Sequence, residues 1–478
     1  MTKLVRDHHL NRRSFAKGAS ASIGAGFILP NLIFGHSAAQ TPAPLGVINA
    51  KDVQKYSGTT IHLAVQKHTA TDAIQALAPN FEQQTGIKVN FEQIPQQQMD
   101  QKQRTDLATG TGSYDVIGWF LNPEYVANDW IFSIDDLRQD AGSTDESLLA
   151  LDDFYGPFLQ WNTYKDVLYG LPFYGESMMM YVNSAELTAV GITKAPDTLA
   201  ELETACKAIK SAGRMSGIAL RGSQEGNAAV YPFLAWLYGH GGFWVNQKNG
   251  EIGLESAEAI EAVGVWSHFL RDYGPADVAS YFWNEVQLSM QQETAAIIMD
   301  ATNFGPRLED PKESKVAGKV GFALLPEVLA ADGKPRGPEV SHGRFGHPAI
   351  SYGLSVPKSS KNAQAAWLFI QWATSRDVML ETTKSGLRGD PTRESSLDDP
   401  SFAKNYDFGD GQWADVVRVA FGYGMSDYFP TESVTNAQLS DVLGLALSQI
   451  LTGDKSPKDA FGEAQSKSVD IQKQAGLL

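Results

Sequence analysis

Strand and helix patterns alternate near the start of the chain. Residues 60–65, 87–91 and 114–119 are apolar or alternating segments that are typical of strands. The segments between them, 70–85 and about 97–108, have the spacing or composition of helices. A β-α-β-α-β order predicts a parallel sheet with helices on both faces. Ligands of such open sheets bind beyond the carboxyl ends of the strands.

The rest of the chain continues in the same style without a fixed-period repeat. Residues 294–299 form a continuous apolar run that predicts a buried strand. Helical patterns dominate later, most clearly at 362–375, 412–422 and 434–452. The fold class predicted from these patterns is α/β.

Charge and cysteine content exclude several functions. The 478 residues carry 39 basic against 55 acidic side chains, a formal net charge of −16. This acidity argues against binding of nucleic acid or of an anionic membrane, because both need clustered cations. The single cysteine, Cys206, excludes an intramolecular disulfide and a cysteine-rich zinc site. We expect Cys206 to be buried and inert, and we predict no metal site.

Catalytic motifs are missing after the first 39 residues. The chain there has no Gly-x-Ser-x-Gly, His-Glu-x-x-His or P-loop sequence. Acidic pairs such as Asp152-Asp153 and Asp398-Asp399 are interpreted as solvated loop charges. An exported glycoside hydrolase would use two carboxyl groups, but spacing alone does not select them. A non-catalytic binding protein is favoured, and the hydrolase remains the alternative.

The first 39 residues have the order of an export signal. Arg12 and Arg13 precede a weakly apolar run at 18–34, and the small residues Ser37-Ala38-Ala39 follow it. A basic region, an apolar region and a small-residue cut site are typical of a cleaved signal. The arginine pair resembles that of Tat signals, with a Sec signal or a membrane anchor as alternatives. We predict a Tat-type signal peptide at 1–39 and a periplasmic protein.

Seven segments are informative as an ordered set: 81–89, 114–116, 169–183, 241–244, 283–301, 320–326 and 363–375. They resemble, in the same order, segments of the extracellular solute-binding proteins of ABC importers, and in particular the sugar- and polyol-binding family. Three shorter motifs are similar to those of mannitol- and sorbitol-type binders: Phe173-Tyr174-Gly175-Glu176-Ser177, Leu220-Arg221-Gly222 and Met299-Asp300-Ala301-Thr302.

The resemblance implies a two-lobe periplasmic-binding-protein fold, type II-like, with about three hinge crossings near 173–178, 298–303 and 350–355. Residues 40–56, which hold Pro42 and Pro44 and little periodicity, are predicted to be a flexible leader. The predicted lobes are an N-terminal one at 57–174 and 302–352 and a C-terminal one at 175–301 and 353–478.

The function implied by the resemblance is transport without catalysis. The protein would capture a sugar or sugar alcohol between the lobes and deliver it to the permease subunits of an ABC transporter. It would act as a monomer, without a cofactor and without nucleic acid.

Ligand contacts are expected from side chains at strand ends and crossings. Hydroxyl groups need amide, carboxylate or guanidinium partners, and C–H surfaces need aromatic faces. Trp244 is predicted to stack on the ligand, while Arg221 and Asp300 hold hydroxyls. The candidates are Gln66, His68, Gln98, Trp119, Asn122, Tyr174, Glu176, Arg221, Trp244, Asp300, Asn303, His347 and Tyr352.

Overall fold

The structure is a computed structural model that describes residues 44–119, 122–386, 388–431 and 433–478. The side chains of Gln97, Trp119 and Asn227 are not described. The predicted signal peptide lies outside the described residues.

Strands and helices alternate along the described chain. The strands are β1 Thr60–Gln66, β2 Lys88–Ile94, β3 Val116–Trp119, β4 Thr163–Tyr164, β5 Val167–Leu168, β6 Leu171–Glu176, β7 Met178–Asn183, β8 Ser216–Ala219, β9 Ala295–Ala301, β10 Val320–Ala323, β11 His347–Pro348, β12 Ile350–Ser355 and β13 Gly424–Met425. The helices are α1 Thr69–Thr85, α2 Gln96–Thr109, α3 Pro123–Ala127, α4 Ile134–Arg138, α5 Glu146–Leu149, α6 Gly156–Trp161, α7 Ser184–Ala189, α8 Leu199–Ala212, α9 Val230–Gly239, α10 Ala257–His268, α11 Trp283–Gln291, α12 Gly305–Leu308, α13 Ala363–Ala373, α14 Arg376–Thr383, α15 Glu394–Asp398, α16 Pro400–Asn405, α17 Gln412–Gly422, α18 Asn436–Thr452 and α19 Pro457–Gln474.

Two sheets organise the molecule. The first has the strand order β2-β1-β3-β12-β6 and the second the order β10-β7-β9-β8. In the first sheet β1 runs parallel to both β2 and β3, as the β-α-β-α-β pattern predicts, while β12 is antiparallel to its neighbours. In the second sheet β9 is buried along its whole length, which confirms the buried strand predicted from its apolar run. The predicted α/β class is confirmed.

Helix α1 shows how the local sequence sets these elements. Its buried residues include Ile74, Ala78 and Phe81, which share one face of the helix, and Ile74 and Phe81 belong to the core of the first sheet. The helix ends at Gly86, whose φ of 72° is left-handed and therefore favours a residue without a Cβ atom. The sequence predicted both the spacing and the end of this helix.

Each sheet and the helices packed on it form one lobe. Three segments in the described part of the chain connect the two lobes. The first joins β6 to β7, the second joins β11 to β12, and the third follows α14 and leads into α15. The guanidinium of Arg393 anchors the third segment to the N-terminal lobe, because its Nη2 donates to the carbonyl of Leu149 at 2.8 Å. Leu397, a few residues later, lies in the core of the C-terminal lobe.

The predicted lobe boundaries after residue 301 need correction. β10 lies in 302–352, predicted to be N-terminal lobe, but it pairs with β7 of the second sheet. β12 falls mostly in 353–478, predicted to be C-terminal lobe, yet it lies between β3 and β6 of the first sheet. The predicted boundaries differ from the structure because the chain does not pass from one lobe to the other at 298–303. β9 pairs with β7 up to its last residue, and Phe304 then packs in the same core.

The second part of the predicted leader, 40–56, is packed rather than flexible. The Leu45 carbonyl accepts hydrogen bonds from Gln84 Nε2 at 2.8 Å and from Trp372 Nε1 at 2.9 Å. Leu45 and Ile48 also pack against the core of the N-terminal lobe. These apolar side chains, next to Pro44, explain why the segment docks although it has no helical or strand period.

Cys206 is fully buried on α8, as the sequence predicts, and burial raises the pKa of its thiol. Among the described residues, no helix combines the length and the apolar character that a membrane crossing requires.

Candidate functional site

A cleft of about 180 Å³ lies between the two lobes. It is bounded by the carboxyl end of β1, the crossing from β6 to β7, the start of β12 and the segment after β9. Its lining residues are Gln66, Lys67, His68, Thr69, Gln96, Glu176, Arg221, Tyr231, Trp283, Gln287, Ala301, Asn303, Phe304, Arg307, Ile350 and Tyr352.

Three stacked rings form the wall on the side of the N-terminal lobe. The ring of His68 lies 4.1 Å from that of Tyr174, which in turn stacks on Tyr352 at 4.4 Å. The Tyr174 hydroxyl donates to Gln66 Oε1 at 2.8 Å and so orients that amide at the cleft. His68 also caps α1, because its Nδ1 accepts from the Ala70 N–H at 3.2 Å. The end of β1, the start of α1 and the crossing from β6 to β7 therefore position this wall together.

Glu176 lines the cleft at the crossing from β6 to β7. Its Oε1 accepts a hydrogen bond from Asn303 Nδ2 at 2.9 Å. Burial raises the pKa of the Glu176 carboxyl to about 7, against the opposing effect of the Arg221 charge. Near neutral pH the group is therefore present in both protonation states, and it can donate to or accept from a ligand hydroxyl.

Arg221 and Asp300 form a buried ion pair at the cleft floor. Arg221 Nε lies 2.9 Å from Asp300 Oδ2 and 3.1 Å from Oδ1, and Nη2 also donates to Oδ1. The Arg221 guanidinium stacks over the ring of Tyr231 at 4.3 Å. Asp300 is fully buried and does not line the cleft, so its role is to orient Arg221 rather than to contact a ligand.

The third crossing reaches the cleft through His68. Asp390 Oδ2 lies 3.7 Å from His68 Nε2, while Asp390 Oδ1 accepts from Arg388 Nε at 3.2 Å. The Gly175 N–H donates to the Asp390 carbonyl at 3.0 Å, which joins the third crossing to the first. Burial lowers the pKa of His68, partly offset by the Asp390 charge. The third crossing is thus hydrogen-bonded to the first, and its Asp390 side chain lies close to His68 at the cleft.

The C-terminal lobe supplies the aromatic wall through α11. Trp283, the first residue of that helix, and Gln287 one turn later both line the cleft. The ring of Trp283 lies 6.4 Å from that of Phe304, another lining residue. A sugar-like molecule in the cleft would therefore meet flat apolar surface and amide groups from the same lobe.

The structure brings most of the predicted site residues to one place. Tyr174 and Asp300 stand directly behind the lining, where they hold Gln66 and Arg221. The predicted residues that line the cleft are Gln66, His68, Glu176, Arg221, Asn303 and Tyr352.

Two predicted ligand contacts are core residues instead. Trp244 is fully buried in the core of the C-terminal lobe, near Phe429, and offers no face to a ligand. His347 is also fully buried; burial lowers its pKa to about 3, and its Nε2 lies 3.5 Å from the Leu325 N–H. In both cases neighbouring aromatic and apolar segments fold over the residue, which local sequence does not reveal.

Two further predicted contacts lie on the N-terminal lobe outside the cleft. Gln98 is exposed on α2 and borders a surface depression with Lys102, whereas Gln96 is the residue of that helix at the cleft. Asn122 caps α3, because its Oδ1 accepts from the Glu124 N–H at 3.0 Å. The side chain of Trp119 lies outside what the structure describes.

Sequence reasoning missed several lining residues, chiefly Trp283, Gln287 and Arg307. A usable signal existed for the first two, since they are four residues apart and such residues lie on one face of a helix. Across the described ranges, no group of three His, Cys, Asp or Glu is arranged to hold a metal ion.

With this geometry established, comparison with known proteins identifies the family. Residues 67–380 match the family described as bacterial extracellular solute-binding protein. The chain belongs to this family. The resemblance seen in the sequence is thereby confirmed, as is the prediction of an exported binding protein rather than an enzyme.

Two curated relatives of this solute-binding protein carry ligand names. The erythritol/L-threitol-binding protein of Mycolicibacterium smegmatis is 26% identical over 408 residues, 81% of this chain and 82% of the relative. The mannitol-binding protein of Pseudomonas aeruginosa is 26% identical over 434 residues, 87% of this chain and 94% of the relative.

A solved structure confirms the fold. The ABC transporter solute-binding protein of Agrobacterium radiobacter, in complex with ribitol, superposes with a TM-score of 0.74 at 24% identity. The match covers 87% of this chain and 99% of that chain. The predicted two-lobe fold is therefore confirmed.

Proposed function

We propose that this solute-binding protein captures a small polyhydroxylated solute, a sugar or sugar alcohol, in its interlobe cleft and delivers it to the permease subunits of an ABC transporter. The observation that carries the proposal is the composition of the cleft. Amide, carboxyl and guanidinium groups from both lobes surround a volume of about 180 Å³, with Trp283 on one side. The names of the two relatives support a polyol, as does the ribitol in the related structure.

The cleft suits hydroxyl groups for a physical reason. A buried hydroxyl without a partner costs about 1–3 kcal/mol, so each must find a donor or acceptor. Gln66 and Glu176 face the ligand space from the N-terminal lobe side, and Arg221, Gln287 and Asn303 do so from the C-terminal lobe. Groups on both lobes can contact the same ligand only when the lobes are close together, which favours closure around the ligand.

Hydrolysis of glycosides is not favoured by the same lining. Glycosidases place two carboxyl groups on either side of the bond they cleave. Among the described residues that line the cleft, Glu176 is the one carboxyl side chain, since Asp300 lies behind Arg221.

Titration calorimetry on the folded protein tests the proposal. Erythritol, ribitol and mannitol are titrated in turn, with maltose as an oligosaccharide control. We expect at least one of the three polyols to bind without being converted to a product. Maltose should bind more weakly than that polyol. Absence of binding by every sugar and polyol tested, in protein with a normal melting transition, would contradict the proposal.

The proposal also covers the cellular compartment in which the protein acts. The twin-arginine pair and small-residue cut site support export by the Tat route to the periplasm. There the protein would act as a monomer and meet the permease at the inner membrane.

A further inference from the structure

The charged side chains that line the cleft are mainly basic, whereas those of the whole chain are mainly acidic. Acidic side chains outnumber basic ones by 55 to 39 overall. The described residues that line the cleft reverse this balance, with Lys67, Arg221 and Arg307 against the single carboxyl of Glu176. Asp300 neutralises Arg221 from behind, which leaves Lys67 and Arg307 against the carboxyl of Glu176.

Arg307 stands out from the other arginines of the described chain. Each of the others donates to a carboxylate, a carbonyl or a hydroxyl group: Arg104, Arg138, Arg214, Arg221, Arg271, Arg336, Arg344, Arg376, Arg388, Arg393 and Arg418. The side chain of Arg307 makes no such contact with any described residue, although the protein has acidic groups in excess. Lys67 likewise has no ion-pair partner within the described ranges.

The backbones of both cationic residues are fixed at the cleft. The Arg307 carbonyl accepts from Gln291 Nε2 at 3.2 Å, and the Lys67 N–H donates to the Ile94 carbonyl at 2.9 Å. Arg307 follows Asn303 on the C-terminal lobe, while Lys67 precedes His68 on the N-terminal lobe. The charge of Arg307 acts on the His68 ring, whose pKa it helps to lower. The two cations therefore meet the same cleft from opposite lobes.

From these contacts we infer that the solute carries a carboxylate at one end: the cleft is built for a sugar acid, a short polyhydroxylated chain whose terminal carboxylate binds Arg307 and Lys67. This inference rests on the proposed function and narrows it. A guanidinium can hold a carboxylate through two parallel hydrogen bonds, which gives it a geometric preference over an uncharged hydroxymethyl group. The hydroxyl-bearing carbons then lie between Trp283 and the groups around Glu176.

Pairs of ligands that differ only at the terminal carbon test the inference. Ribonate is compared with ribitol, and mannonate with mannitol, by titration calorimetry at low ionic strength. We expect each acid to bind at least tenfold more tightly than its alcohol. The advantage should shrink as salt is added, because the cations are exposed at the cleft mouth.

Variants identify the groups responsible. Arg307→Gln should reduce the ratio of acid to alcohol affinity to near one, and Lys67→Gln should reduce it in part. Arg336→Gln is the matched control, because that side chain is paired with Glu261 away from the cleft and its loss should leave the ratio unchanged. Circular dichroism melting of each variant shows that it is folded.

The outcomes separate this inference from the proposed function. Equal or tighter binding of the alcohols would contradict the inferred carboxylate on the ligand. The proposed capture of a polyol would not be affected by that result. Tighter binding of mannitol 1-phosphate than of mannonate would overturn the carboxylate in favour of a phosphate ester. Failure of every acid and alcohol to bind would overturn both.

Discussion

Asp300 orients Arg221 at the floor of the ligand cleft without facing the ligand itself. The single N–H of Arg221 Nε is shared between both oxygens of a fully buried carboxylate, with Nε 2.9 and 3.1 Å from them. The Ala301 N–H donates to Asp300 Oδ1 at 2.7 Å and fixes the carboxylate in turn. Because a buried charge without its partner is costly, removing one member of the pair alone is expected to destabilise the fold.

Replacing Asp300 should therefore destabilise the protein. Asp300→Ala removes the hydrogen-bonded counter-charge of the largely buried Arg221 guanidinium, and we expect the free energy of unfolding to fall by about 3–5 kcal/mol. Urea denaturation measures the change. The double variant Arg221→Met/Asp300→Leu removes both charges and should recover most of the loss. A loss below about 1 kcal/mol in Asp300→Ala would show that water or another group compensates the charge.

The raised pKa of Glu176 predicts a pH dependence of stability. Its pKa is about 7 in the folded protein, against an ordinary value of 4.5. The folded state therefore binds this proton more tightly than the unfolded state. The resulting stabilisation is complete below pH 4.5 and is lost as the pH rises through 7.

The Glu176→Gln variant isolates this effect. We expect the free energy of unfolding of the wild type to fall relative to that of Glu176→Gln between pH 4.5 and 7, as measured by denaturation at several pH values. Glu261→Gln is the control, because Arg336 lowers the pKa of Glu261 and its effect is confined to more acidic solution. Parallel curves for wild type and Glu176→Gln across this window would contradict the pKa assignment.

Two tryptophans should respond in opposite ways to truncation. Trp283→Ala removes aromatic surface at the cleft, and the stacking contribution of about 0.5–1.5 kcal/mol corresponds to roughly two- to tenfold weaker binding. Trp244→Ala leaves a cavity in a buried core and should reduce the free energy of unfolding by about 3–5 kcal/mol. Calorimetric titration and denaturation of both variants check the assignment. A stable Trp244→Ala protein with impaired binding would restore that residue to the ligand site.

The proposed export route is tested in the precursor. Changing both Arg12 and Arg13 to Lys keeps the charge but removes the guanidinium pair, so precursor should accumulate in the cytoplasm. Immunoblotting of cytoplasmic and periplasmic fractions gives the distribution. The single change Lys17→Arg serves as a control within the same region. Normal periplasmic yield from the double variant would exclude the Tat route.

The elements that the sequence predicts well are those with local causes. Helix α1 has its apolar spacing and its terminal Gly86 within one segment, and β9 is a continuous apolar run. The side chains at strand ends, such as Gln66 and His68, reach the cleft because the carboxyl ends of parallel strands share one edge of the sheet.

The errors arise where distant segments decide the environment. Trp244 is buried in a core to which residues far along the chain contribute, including Phe429, whose ring lies 6.4 Å from that of Trp244. Arg307 reaches the cleft only because the segment after β9 stays with the C-terminal lobe, whereas the sequence predicted a crossing there. Local patterns cannot distinguish a tryptophan in a core from one in a binding wall, since both are apolar and follow a turn.

The three connections between the lobes have a consequence for the integrity of the protein. They lie far apart in sequence, so a protease that cuts any one of them leaves the lobes tethered by the other two. A molecule that is cut at one connection therefore still has both walls of the cleft on lobes that are linked to each other. Three separate connections thus hold the two walls of the cleft together even in a chain that has been cut once.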